Sequence, residues 1–153
     1  MAISVRELRP IDECALHQVA PGVFDRPVRP EWARDFLGDT GHHLVVAMDD
    51  ETVVGMISAV VFLHPDKPPQ LWINEIGVAT THQRRGIGRQ LVDAMLDVGR
   101  SSGCTCAWLG SEPENLPAHE LYEKAGGSAA PCLLFTFELG TQQAAAANGA
   151  EPR

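Results

Sequence analysis

The segment Gln83-Arg84-Arg85-Gly86-Ile87-Gly88-Arg89 joins closely spaced glycines to a cluster of arginines, directly ahead of a run with helical apolar spacing. Glycines let a ligand approach the backbone, and the first turn of a helix offers unpaired N–H groups at the positive end of its dipole. The chemistry expected there is anion binding, most naturally of a pyrophosphate. The segment is not a P-loop, because no Lys followed by Ser or Thr comes after the second glycine. Nor is it the dinucleotide fingerprint G-x-G-x-x-G, because Leu91 stands where the third glycine belongs.

Two further side chains ask for an explanation. Glu75 interrupts the apolar strand sequence Trp72-Ile73-Asn74-Glu75-Ile76-Gly77-Val78, where a carboxylate is costly unless it faces solvent or does chemistry. Tyr122 is the chain's only tyrosine, and by itself it reads equally as a ring packing a helix onto a sheet. His119 is a second candidate base. His42 and His43 look like strand-edge residues without a partner at a suggestive spacing.

The elements that must position these groups are legible from periodicity. A strand is predicted over 3–8 and a helix from Pro10, with Leu16 and Val19 apolar and Pro21-Gly22 ending it. A Pro-containing loop from Phe24 to Pro30 leads into a short helix, Glu31 to Leu37, with Trp32 and Phe36 on one face. Apolar runs at 44–48 and 53–62 flank Asp49-Asp50-Glu51-Thr52 and predict a β-hairpin. A strand at 71–78 precedes the glycine segment, and a helix over 86–100 carries Ile87, Leu91, Ala94, Met95 and Val98 as its core stripe. A strand at 105–109, a helix at 115–125 and a final strand at 133–139 complete the order. These make a three-layer α/β domain over 1–139, with a mixed, mostly antiparallel sheet flanked by helices. The alanine-rich 140–153 reads as a frayed tail.

Composition bounds the function. The length of 153 residues and 44% apolar content suit one core. Twelve Lys and Arg against twenty Asp and Glu give a net charge of −8, which argues against nucleic-acid binding and suits a cationic partner, although solubility alone also explains it. The N-terminus lacks the apolar run of a signal peptide and no stretch is long and apolar enough to span a bilayer, so a cytoplasmic protein away from membranes is expected. Cys14, Cys104, Cys106 and Cys132 form no zinc-ligand pattern. They read as reduced thiols with no metal site, and Cys104 and Cys106 as core residues of one strand face.

The pattern Gln83-x-x-Gly86-x-Gly88 after a strand resembles the Q/R-x-x-G-x-G/A acyl-coenzyme-A loop of the GNAT superfamily of N-acetyltransferases. A second pattern, Asn115-x-x-Ala118-x-x-x-Tyr122-Glu123-Lys124-x-Gly126, is similar to the superfamily's later helix, N-x-x-A-x-x-L-Y-E-K-x-G-F, with Leu121 at the Leu position. The resemblance covers about residues 3–139 and departs at Gly127, where Phe is usual. It implies a homodimer, acetyl-CoA as co-substrate and backbone binding of its pyrophosphate by Arg84, Arg85, Gly86, Ile87, Gly88 and Arg89 beside Gln83. Ile76, Gly77 and Val78 would pair with the pantetheine arm and Asn115 would hydrogen-bond near it. Tyr122 would protonate the departing thiolate, and Glu75 would be the general base that frees the amine, directly or through water.

Within the superfamily, the segments 51–55, 72–78 and 83–87, with Val23-Phe24-Asp25-Arg26-Pro27, resemble the aminoglycoside 3-N-acetyltransferases of the gentamicin and fortimicin type. The resemblance implies an acid, usually Asp, at the position of Glu75 and another near Glu138. Asp25, Glu31, Glu112, Glu114 and Glu138 are then compatible with a polycationic acceptor, and Asp25, Glu75, Glu112 and Glu138 are the candidate acceptor-binding residues. Polyamines, small metabolites, protein N-termini and lysines are alternative acceptors. A non-catalytic coenzyme-A-binding module or a protein-interaction domain would be a different class of protein.

Overall fold

A computed structural model describes residues 2–140. The expected tail 140–153 lies outside them apart from Gly140. The sheet consists of β1 (Ser4–Glu7), β2 (His42–Asp49), β3 (Thr52–Phe62), β4 (Gln70–Val78) and β5 (Ala107–Trp108), in that spatial order. All neighbouring pairs are antiparallel except β4 with β5. Helices α1 (Pro30–Gly38), α2 (Ile87–Ser101) and α3 (Leu116–Lys124) complete the fold with two 3₁₀ helices, Pro10–His17 and Thr80–His82.

The strands form where β-branched and apolar residues run together. Leu44 to Met48 and Val53 to Ala59 are buried throughout, Gly55 and Ser58 included, because β2 and β3 are covered on both faces. α2 lies on one face: Leu91 and Ile87 reach to within 3.1 and 3.2 Å of where a Cβ on Gly55 would stand, so the missing side chain brings helix and strand together. α1 and the first 3₁₀ helix pack on β2 and β3. Ile87, Leu91, Val92 and Met95 are buried on α2, each such side chain stabilising by about 1.5–3 kcal/mol.

Several expectations are corrected. The helix predicted from Pro10 is a 3₁₀ turn that buries only Leu16. The main-chain N–H of Arg9 donates to Asp12 Oδ2 at 2.9 Å, and this local turn competes with α-helix. Val19 is not helical but bridges Val53 beside the sheet. On α2 the buried stripe includes Val92 and Gly99, whereas Ala94 and Val98 are only half-buried. The strand predicted at 105–109 shrinks to two residues, and Cys106 is exposed, so these cysteines are not a shared core face. The strand predicted at 133–139 is not formed: the segment has no regular secondary structure and is exposed and unpaired with the sheet. Alternation makes it capable of being a strand, but a strand exists only where an edge receives it.

Candidate active site

The glycine segment is held from both ends. Gln83 Nε2 donates to the Val78 carbonyl at 3.1 Å, tying the loop to the end of β4. His82 Nε2 lies 3.0 Å from Asp49 Oδ2, and its Nδ1 is 2.8 Å from Thr81 Oγ1, which fastens the connection to the β2–β3 turn. That contact holds the Asp49 carboxyl below its ordinary range. Arg84 and Gly86 both adopt left-handed backbone, with φ of 60° and 77°, and Gly86 is the N-cap of α2. Among the described residues, the main-chain N–H groups from Arg84 to Arg89 make no hydrogen bond. They are available to an anion at a helix N-terminus. Of the arginines, Arg84 and Arg85 are exposed. Arg89 instead holds both Asp93 oxygens at 2.9 Å and the Lys124 carbonyl at 2.6 Å.

Those bonds fix α3. Gly88 is also where Leu121 docks, 3.2 Å from the position of an added Cβ. Tyr122 therefore sits on a helix pinned to the first turn of α2 on either side of it in sequence. It is half-buried, and burial raises its phenol above the ordinary value, which keeps the proton on. Asn115 caps α3, its Oδ1 accepting from the Ala118 N–H at 3.4 Å. His119 Nε2 lies 2.9 Å from the Glu112 carbonyl oxygen, so it is engaged in the turn that precedes the helix.

Glu75 is placed by a β-bulge. Ser58 pairs with Glu75 and Ala59 with Ile73, so Asn74 is an extra residue on β4 and the strand is re-aimed at the acid. Burial pushes the Glu75 carboxyl up, and the nearby Asp25 carboxylate pushes it further. The 22–25 segment reaches β4 because residue 77 is glycine: a Cβ there would lie 2.0 Å from the Val23 carbonyl oxygen. Beyond its pairing with β5 at Leu71 and Trp72, β4 has no strand on that side, so the stretch from Ile73 to Val78 faces an open edge among the described residues. Next to Ser58, a cleft of about 260 Å³ is lined by Phe36, His42, Ser58, Ala59, Val60, Trp72 and Asn74.

A family model described as "Acetyltransferase (GNAT) family" matches residues 8–127. The chain belongs to that family. Among curated proteins, this GNAT chain is 32% identical over 84 residues to an L-2,4-diaminobutyric acid acetyltransferase of Nocardia farcinica, a match covering 55% of this chain and 40% of that protein. It is 30% identical to the Streptomyces coelicolor protein of the same name, over 60% and 51% of the two chains, and 30% identical to human N-acetyltransferase 8, over 61% and 41%. The matched region thus spans about half the length of these relatives or less. Solved structures show the same fold. An aminoglycoside acetyltransferase from a soil metagenome, in complex with sisomicin, superposes with TM-score 0.77 at 17% identity, over 91% of this chain and 97% of the other. AAC(6')-Iy, in complex with a bisubstrate analogue, superposes with TM-score 0.72 at 18% identity, over 90% and 99%.

Against this GNAT frame, the structure brings Glu75, Ile76, Gly77 and Val78 to the end of β4 and joins them through Gln83 to the glycine segment. Asp25 stands beside Glu75. Glu31 is paired with Arg29 on α1, Glu112 and Glu114 are exposed ahead of α3, and Glu138 is on the unpaired 128–139 segment. Phe36, His42, Trp72 and Asn74 were not among the expected site residues. The signal for Trp72 and Asn74 was their place around an acid on one strand. His42 stands 3.1 Å from Asp39 and edge-on to Phe36, both near it in sequence, and its place in the cleft wall comes from pairing with Val60 across β3.

Proposed function

We propose that the protein transfers the acetyl group of acetyl-CoA to a primary amine of an aminoglycoside, at the 3-N position, with Glu75 as general base and Tyr122 as general acid. The observation that carries this reading is the half-buried Glu75 on the strand whose end is tied through Gln83 to the glycine segment and its unpaired N–H groups at a helix start. Acetyl-CoA supplies the activated thioester. The residues present fit it: Arg84 to Arg89 offer free N–H groups to its pyrophosphate, and the open edge at Ile76 to Val78 offers backbone partners to its pantetheine arm, with Asn115 nearby in sequence to Tyr122's helix. Glu75 takes a proton from the ammonium group, directly or through water, since only the free amine has a lone pair. The raised carboxyl makes it a stronger base than an exposed Glu. Tyr122 keeps its proton in this setting and gives it to the leaving sulfur.

An acidic chain with Asp25, Glu75, Glu112 and Glu138 suits a polycation, and aminoglycoside acetyltransferases share the fold. A second reading, a small diamino acid as acceptor, is favoured by the diaminobutyrate acetyltransferase relatives and by the cleft. Its roughly 260 Å³ is below the usual range for drug-sized ligands and holds one sugar ring or one small amine. We infer a cytoplasmic setting; among the described residues no helix is long and apolar enough to cross a membrane.

Thiol release from acetyl-CoA, measured with gentamicin, fortimicin, kanamycin, 2,4-diaminobutyrate, spermidine and a short peptide, separates these readings. Release with gentamicin or fortimicin supports the first. Release with diaminobutyrate alone replaces it with the second, and silence with every amine overturns both in favour of a coenzyme-binding module.

A further inference from the structure

The β2–β3 turn and the connection that follows β4 are distant in sequence, yet a side chain from each meets the other. His82 Nε2 lies 3.0 Å from Asp49 Oδ2, with His82 only 16% and Asp49 31% exposed. Partial burial limits the competition from water that weakens fully exposed pairs. The other ring nitrogen, Nδ1, is 2.8 Å from Thr81 Oγ1, so the imidazole is held at both nitrogens and its orientation is fixed.

A β-bulge sets the two segments against each other. Ala47 pairs with Gly55 and Met48 with Val53, which makes Val54 an extra residue on β3. The Val54 carbonyl accepts from the Ala79 N–H at 2.9 Å, and the His82 N–H then donates to the Ala79 carbonyl at 2.8 Å. The chain leaving β4 is thereby turned past Asp49.

The residues immediately downstream need such a hold. Arg84 has left-handed backbone, φ 60°, which a residue with a side chain rarely adopts and keeps only where its surroundings impose it. With Gly86 at φ 77° it shapes the segment whose N–H groups are unbonded, and backbone of this kind gathers N–H groups into a concavity for anions. The Arg84 and Arg85 side chains are exposed, so they do not impose this shape. The constraint comes from either end: His82 and Gln83 before it, and the buried Ile87 of α2 after it.

We propose that Asp49 and His82 are positioning residues for acetyl-CoA, their contact holding the glycine segment in the shape that receives the pyrophosphate. Neither touches the reacting atoms. Without the contact, the cost of ordering the loop is added to each binding event. The proposal rests on the reading of this segment as the pyrophosphate site.

Calorimetry with acetyl-CoA on the parent chain, Asp49→Ala, His82→Ala, the double variant and His82→Gln tests it. Each alanine variant should bind about tenfold more weakly. The double variant should bind no more weakly than either, because both substitutions remove one contact. His82→Gln should return to within about twofold of the parent, since its amide Nε2 still donates to Asp49. A general loosening of the fold would not be mended by glutamine. Alanine variants as tight as the parent, additive losses in the double variant, or a glutamine variant as weak as alanine overturns the proposal and leaves the pyrophosphate site standing. A parent chain that does not bind acetyl-CoA overturns both. Should one alanine variant fail to fold, the other, set against His82→Gln, decides.

Discussion

Asp25, on the loop that crosses β4, stands beside Glu75, and its carboxylate repels the Glu75 carboxylate. One residue of a loop thus acts with burial to raise the proton affinity of the candidate base. The loop can approach so closely only because Gly77 carries no side chain.

Gly77→Ala puts a Cβ 2.0 Å from the Val23 carbonyl oxygen, so backbone has to move. The expected cost is about 1–3 kcal/mol or somewhat more, read as a lower urea midpoint with unchanged slope. Activity falls with it, because the loop carrying Asp25 is displaced from Glu75. An unchanged midpoint would show that the 22–25 crossing is not held as described.

The two carboxyls at this end of the sheet have opposite linkage to folding. Glu75 is raised in the folded protein, so folding favours its neutral form, and stability falls as pH rises from its unfolded value through its folded one. Asp49 is lowered by His82, so its contribution is present above its unfolded value and is lost on acidification. Glu75→Gln removes the first effect alone. Its melting temperature at neutral pH should be equal to or above the parent's, even as activity drops. A lower melting temperature at neutral pH would mean that the ionised carboxylate stabilises the fold.

Tyr122→Phe leaves the Leu121 and Lys124 anchors of α3 untouched. Acetyl-CoA should bind as before by calorimetry, while turnover falls by about 10²-fold or more. Turnover equal to the parent's would reduce Tyr122 to a packing residue.

Gly86→Ala meets no atom within 4 Å and is opposed by backbone alone, at φ +77°. The left-handed penalty is about 1–2 kcal/mol, and relaxing it turns the free N–H groups away from a shared anion. Acetyl-CoA should bind about tenfold more weakly. Unaltered affinity would indicate that the glycine segment does not hold the pyrophosphate.

Much of this arrangement is legible in the amino acids, and the reason is local. α2 follows from apolar residues at helical spacing, the left-handed N-cap from Gly86, and the place of Glu75 on β4 from an acid among β-formers. What was missed depends on partners distant in sequence. The alternation from Leu133 to Leu139 announces a strand without saying which edge receives it, and the two-residue β5 reflects how little edge is present. Asn115, expected beside the pantetheine arm, visibly caps α3, and these uses compete for one side chain. His42 enters the cleft wall because β2 pairs with β3 in a register that sets it opposite Val60.

The central claim is that Glu75 accepts the proton of the attacking amine, and kcat/KM against pH for the parent chain and Glu75→Gln tests it most directly. The account predicts that the parent's activity rises with pH on a limb belonging to a raised carboxyl. The variant should lack that limb, be slowest relative to the parent near neutrality and recover as the amine deprotonates by itself. Parallel profiles at every pH would contradict the account and remove Glu75 as the base.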